Sequence, residues 1–197
     1  MKKAILAASL LLVGGLALSP SAMADYILDL TQVGSNVVAN GSGTIDLTGL
    51  TSTGISGPSD SGVNASLALI ATGLDGSTPD NYTGFSGPTA FGTGGGHFAS
   101  SGSGDYVGIN GSGDGLAVPE GYISGDTLSS SAIFDNQSLT SLGVTPDTYV
   151  WTWGSAPDGN FTIIASVGSV PEPASLALLS TGLVGLGLML RRKRKAA

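Results

Sequence analysis

Thirteen carboxylates, one imidazole and no ammonium or guanidinium group make up the ionisable inventory of residues 25–170, apart from the tyrosines, in this 197-residue chain. Carboxylates mixed with hydroxyl and amide oxygens are the donor set of a hard cation such as Ca²⁺. The densest local set is Asn110-Gly111-Ser112-Gly113-Asp114-Gly115, with side-chain oxygens on the alternate residues Asn110, Ser112 and Asp114. It is not an EF-hand loop, because its twelfth position is Gly121, where that loop needs glutamate. The bland reading of the same acids is structural. Twelve of the thirteen are Asp, which bonds nearby backbone N–H groups in turns, and Glu120 is the exception. His97, within Gly94-Gly95-Gly96-His97-Phe98, is the lone histidine. A Ser-His-Asp relay or a two-carboxylate glycosidase can be written on paper. No Gly-x-Ser-x-Gly elbow is present, however, and no spacing selects a carboxylate pair. His97 therefore reads as a loop histidine and a hydrolase as the weakest option, so no catalytic residue is assigned.

The missing cations exclude more than they suggest. A nucleic-acid site needs Lys or Arg to displace phosphate counterions, so nucleic acid is not a partner of this region. A P-loop, a Schiff-base lysine and an arginine clamp are equally out of reach. With no cysteine in the chain, disulfides, thiolate metal sites and a thiol nucleophile go too. No cofactor is expected, Ca²⁺ at Asn110, Ser112 and Asp114 being the one candidate.

Two further patterns carry possible chemistry. Tyr149, Trp151 and Trp153 occupy alternate residues and so share one face of a strand. That stripe is either part of a core or, if it faces water, a stacking platform for sugar rings, which makes the domain a lectin-like module. Six of the seven Asn in residues 25–170 begin Asn-x-Ser/Thr: Asn40, Asn64, Asn81, Asn110, Asn136 and Asn160. They are candidate glycan acceptors on surface loops, against the reading that Asn and Ser/Thr simply share turns.

The elements that must carry these residues are short strands. Tyr26–Val33 alternates with Tyr26, Leu28 and Leu30 on one face, Gly34-Ser35-Asn36 turns, and Val37–Leu47 returns. Further strands are expected at 64–71, with Leu67 and Leu69 on one side, and at 106–109, 116–118, 131–134, 149–153 and 161–165. Asp75-Gly76, Asp114-Gly115 and Asp158-Gly159 are turn dipeptides. Many short strands joined by Gly-rich polar turns predict an all-β fold, one antiparallel, jelly-roll-like β-sandwich over residues 25–169. A disordered low-complexity linker is the rival reading, opposed by the alternation and the aromatics.

The ends read as addresses. Residues 1–24 have the three parts of a signal peptide: Lys2 and Lys3, an apolar stretch over 4–18, and Ala22-Met23-Ala24 as a small-x-small cleavage site. Residues 170–197 contain Val170-Pro171-Glu172-Pro173, an uncharged stretch over 174–190 expected to be a transmembrane helix, and the basic tail Arg191-Arg192-Lys193-Arg194-Lys195, which stops transfer. A GPI signal ends in its hydrophobic tail, so the basic terminus argues against one.

This tripartite C-terminus resembles the PEP-CTERM sorting signal carried by exosortase substrates. Val118–Gly125 and Leu142–Gly154 also resemble a recurrent ectodomain of such proteins that has no assigned activity. The resemblance implies a Gram-negative exported protein, inserted in the inner membrane, cut by an exosortase near Pro171, Glu172 and Pro173, and then released or attached at the cell surface. It further implies a structural, non-enzymatic role in association with exopolysaccharide or biofilm matrix. Trypsin, which needs Lys or Arg, is expected to leave residues 4–191 of the denatured precursor as one peptide. Peptide mass mapping checks this, and any cut between those ends contradicts it.

Overall fold

The computed structural model describes residues 24–154 and 159–168, which form thirteen strands. They are β1 (Ala24–Val33), β2 (Asn36–Thr44), β3 (Thr51–Ile55), β4 (Gly62–Asn64), β5 (Leu69–Thr72), β6 (Pro79–Thr83) and β7 (Gly96–Phe98). The series continues with β8 (Ser101–Gly104), β9 (Val107–Asn110), β10 (Gly115–Pro119), β11 (Thr127–Phe134), β12 (Thr148–Trp153) and β13 (Gly159–Val167). Six strands build one sheet in the order β12-β13-β1-β2-β11-β8, and seven build the other in the order β3-β6-β10-β9-β5-β4-β7. The inner faces of both sheets contribute to one continuous hydrophobic cluster, so the arrangement is an all-β sandwich.

Period-2 alternation positions that core. On β1, Tyr26, Leu28 and Leu30 are buried while Asp29 is exposed; on β13, Phe161, Ile163 and Ala165 are buried. The register places these triplets side by side, Tyr26 against Phe161, Leu28 against Ile163 and Leu30 against Ala165. Their ladder is parallel, which departs from the fully antiparallel sandwich the sequence suggested. A parallel pair needs a long connection between its strands. Here the whole of the remaining domain supplies it, because β1 is the first strand and β13 the last.

One expected strand is broken. Residues 65–67 form a 3₁₀ turn, and Ala68 takes a left-handed conformation with φ 47°. The chain reverses there, so β4 and β5 pair antiparallel where a single strand over 64–71 was expected. Leu67 is exposed at the turn, and Leu69 is only half-buried. The anticipated signal segment preceding Ala24, the transmembrane helix over 174–190 and Asp158 of one turn dipeptide lie outside the described residues. Among the described residues no helix is long and apolar enough to cross a membrane.

A hydroxyl chain pins the sheets to each other through the core. Tyr26 Oη of β1 lies 2.6 Å from Ser130 Oγ of β11, which lies 2.5 Å from Thr72 Oγ1 of β5 on the opposite sheet. Gly41 on β2 makes the space, since a Cβ there would overlap the Tyr26 hydroxyl. Burial pushes the Tyr26 phenol up to about 12, although its hydrogen bonds pull the other way. A phenol whose folded pKa is raised favours the fold below its ordinary value near 10, and loses that contribution as pH climbs through 12. Ser130→Ala strands the buried Tyr26 hydroxyl and is expected to cost about 1–3 kcal/mol in urea unfolding, whereas adding Tyr26→Phe restores most of the loss. Equal costs for the single and double variants would show that the chain of hydroxyls contributes nothing.

Candidate functional site

The aromatic stripe of β12 is core. Trp151 and Trp153 are buried, and their indole N–H groups donate to the carbonyls of Pro88 at 2.9 Å and Asp46 at 2.7 Å. Trp151 meets Phe161 edge-on at 6.2 Å between ring centroids. The half-buried Tyr149 packs against the same cluster and donates to the Thr145 carbonyl at 2.8 Å. A water-facing platform made of these three residues is therefore overturned, because the loops carrying Pro88 and Asp46 bond to the indole edges.

The carboxylates bind loops. Among the described residues, only Asp46 and Asp147 bond close in sequence, to the N–H groups of Thr48 and Thr148. Asp75 accepts from Ser61 N at 2.7 Å, Asp80 from Gly121 N at 2.8 Å, Asp105 from Ser129 N at 2.8 Å and Asp114 from Gly84 N at 3.0 Å. Four of the acids thus join segments 14 to 41 residues apart, where the sequence suggested local turns. Glu120 accepts from the Thr78 hydroxyl at 2.6 Å. The Asp46 carboxyl is held below its ordinary range, first by the backbone N–H of Thr48. In the 110–115 segment, Asn110 Oδ1 accepts from Gly113 N and the Asp114 carboxylate reaches across to Gly84, so both are engaged in shaping the β9–β10 turn. Ser112 is exposed at its tip. Among the described residues no three His, Cys, Asp or Glu side chains cluster as a metal site would need.

The Asn-x-Ser/Thr tripeptides acquire a simple geometry. Asn40, Asn64, Asn81, Asn110 and Asn160 all stand on strands, and only Asn136 is in a loop. In Asn40/Ser42, Asn81/Thr83 and Asn160/Thr162 the two polar residues are successive outward positions of one strand, which has a period of two. Their recurrence therefore follows from strand geometry, contrary to the expected location on loops.

Three of these Asn converge on one groove. The outer face of the seven-stranded sheet carries a depression of about 560 Å³. Its floor follows one transverse row through the register: Asn81, Ala117, Gly108, Ala71, Gly62 and Phe98, on β6, β10, β9, β5, β4 and β7. The next row places Asn110, Leu69 and Asn64 along one side. Tyr106 and Asp60 also line the depression, and the Tyr106 hydroxyl donates to the Asp60 carbonyl at 3.4 Å. Burial raises the Tyr106 phenol above its ordinary value, keeping it neutral at physiological pH. Phe98 is 80% exposed. His97 is half-buried on edge strand β7 and pairs with buried Val63, so the outward position next to it belongs to Phe98. No sequence signal marked this groove, because Gly, Ala and Asn on short strands have no apolar periodicity.

The family comparison falls outside the sandwich. Residues 169–194 match the model described as the PEP-CTERM protein-sorting motif. The chain carries a PEP-CTERM sorting signal. That signal supports exosortase-dependent sorting of an exported, membrane-passing precursor, with the exosortase as processing partner. It begins directly after Gly168, the last described residue of the sandwich, whose N–H donates to the Gln32 carbonyl at 3.1 Å. The comparisons with curated proteins and with solved structures find no match.

With its indole buried and hydrogen-bonded, Trp151→Ala is expected to cost about 3–5 kcal/mol and unfold the domain under mild denaturant, as read by circular dichroism. A variant as stable as the parent would return the stripe to the surface.

Proposed function

We propose that this chain is an exported cell-envelope or extracellular-matrix protein of a Gram-negative bacterium. Its precursor is held in the inner membrane by residues 174–190, cut by an exosortase at Pro171, Glu172 and Pro173, and delivered to the cell surface or released. Its role there is structural and non-enzymatic, in association with exopolysaccharide, and it needs no cofactor. The observation that carries the reading is the sorting motif at 169–194, placed immediately after a sandwich whose last strand ends at Val167. The basic residues Arg191 to Lys195 suit retention on the cytoplasmic side, while a body free of Lys and Arg suits translocation. Support for a non-enzymatic role comes from the acids and the histidine. The carboxylates of Asp46, Asp75, Asp80, Asp105, Asp114, Asp147 and Glu120 are spent on hydrogen bonds that hold loops, and His97 belongs to an edge strand.

Mapping the C-terminus of the protein recovered from cells by mass spectrometry tests this. The expected end lies at or near Pro171–Pro173 in a strain containing exosortase, and the tail through Lys195 persists when the exosortase is deleted or Glu172 is replaced by Ala. An intact basic tail on the surface-exposed protein of the parent strain overturns sorting by cleavage.

A further inference from the structure

We propose that the groove across the seven-stranded sheet binds a neutral, unbranched polysaccharide chain lying perpendicular to the strands, between Asn81 and Phe98. The first argument is shape. Four consecutive positions of the transverse row, Ala117, Gly108, Ala71 and Gly62, carry nothing larger than a methyl group. Six neighbouring strands at the usual spacing make this trough about 24 Å long from Asn81 to Phe98. Its 560 Å³ lie within the range of sites that hold small organic ligands. A long, thin chain can rest there on the plane of the backbone, where ordinary side chains would hold it off.

The second argument is the chemistry of the lining. Carboxamides of Asn64, Asn81 and Asn110 both donate and accept hydrogen bonds, as sugar hydroxyls do. All three are held before any ligand arrives: Asn110 Oδ1 accepts from Gly113 N at 2.9 Å, Asn64 Oδ1 accepts from the Ser66 hydroxyl at 2.9 Å, and Asn81 Nδ2 donates to the Pro79 carbonyl at 3.2 Å, leaving its Oδ1 for a ligand. Such preorganisation reduces the entropy lost on binding. At the end of the row, Phe98 offers a large apolar ring that is 80% exposed on a three-residue strand.

The third argument is charge. The domain has thirteen carboxylates and no cation, so an anionic polymer meets only repulsion. Among the described residues Asp60 is the sole carboxylate lining the groove, too little to select a polycation. An uncharged chain remains. An extended peptide docks by adding itself to a sheet edge, parallel to the strands. This groove runs across them, so its floor offers no ladder of backbone partners.

The proposal draws on the exported location only for where the polysaccharide is met; binding itself does not require cleavage. The experiment therefore uses the full chain purified in detergent, with its C-terminus verified separately. Affinity electrophoresis and calorimetry are run against an unbranched soluble mixed-linkage β-glucan, the linear neutral glucan pullulan and the acidic polymer alginate. At least one neutral polymer is expected to retard the protein. Phe98→Ala should weaken that binding about tenfold, and Ala117→Trp, which fills the floor, should abolish it. Both side chains point away from the core, so melting temperatures should match the parent. No retardation by either neutral polymer, binding of alginate alone, or binding unchanged in both variants overturns the proposal. So does a monomer produced from a dimer by Phe98→Ala without change in polysaccharide binding, which would make the groove a self-association surface. A sorting defect leaves these results untouched, and a binding defect leaves the mapped C-terminus untouched.

Discussion

The parallel pairing of β1 with β13 is the constraint on which the rest depends. Two buried apolar triplets of the six-stranded sheet, Tyr26/Leu28/Leu30 and Phe161/Ile163/Ala165, sit on the first and last strands, and neither is an edge strand. Without β13, β1 loses one ladder, β12 loses its partner in the sheet, and Trp151 loses Phe161. Sequence separation between the partners is nearly the whole domain, so closing this contact costs more chain entropy than any hairpin in the fold. For a precursor that passes a membrane the order matters. β13 ends at Val167 and the sorting signal starts at residue 169, so the sandwich closes only after nearly everything before the signal has crossed. Until then β1 has only its ladder with β2.

Electrostatics impose a second condition. A domain with thirteen acids and no Lys or Arg cannot form internal salt bridges with those residues, and its charges repel one another. The structure distributes them at loops and gives many of them N–H donors, where a charge-assisted hydrogen bond is stronger than a neutral one. Asp75, Asp80, Asp105 and Asp114 each bond a distant segment, so the acids do in this fold what ion pairs or disulfides do elsewhere. The same hydrogen bonds draw on Asp114 in the segment that resembled a Ca²⁺ loop. They also explain the preference for Asp over Glu, since the shorter side chain holds its oxygens close to the turn it bridges.

Legibility in the sequence tracked apolar alternation. β1, β11, β12 and β13 bury every second residue, and each was readable or partly readable from that period. β3, with all five residues exposed, and β8, Ser-Gly-Ser-Gly, have no such signal; they are strands because neighbours with exposed edges recruit them. The 64–71 run failed for the opposite reason. NASLALIA has the hydrophobicity of a strand, yet Ala68 adopts a left-handed turn that no propensity favours, imposed by the return of β5 against β4. The parallel register was invisible because it joins segments 135 residues apart at Thr31 and Ser166, beyond any local pattern. The groove was hidden for a related reason. Its six floor residues come from six strands and become a row only when the register is known.

Small outward side chains follow from the missing Lys, Arg and Glu. Most soluble sheets are covered on their wet face by long charged side chains, whose aliphatic stems shield the strands. Here the outer face of the six-stranded sheet carries Asn40, Ser42, Ser103, Ser129 and Ser131 instead, with Ser103 and Ser131 hydroxyls 2.9 Å apart across β8 and β11. The seven-stranded sheet goes further, with Gly and Ala at the centre of its outer face. Charge on the surface is left to short carboxylates, at the loops and, as with Asp29, on the outer face of β1. A glycine-rich, cation-free composition, which out of context suggests a linker, is thus the covering of a folded body.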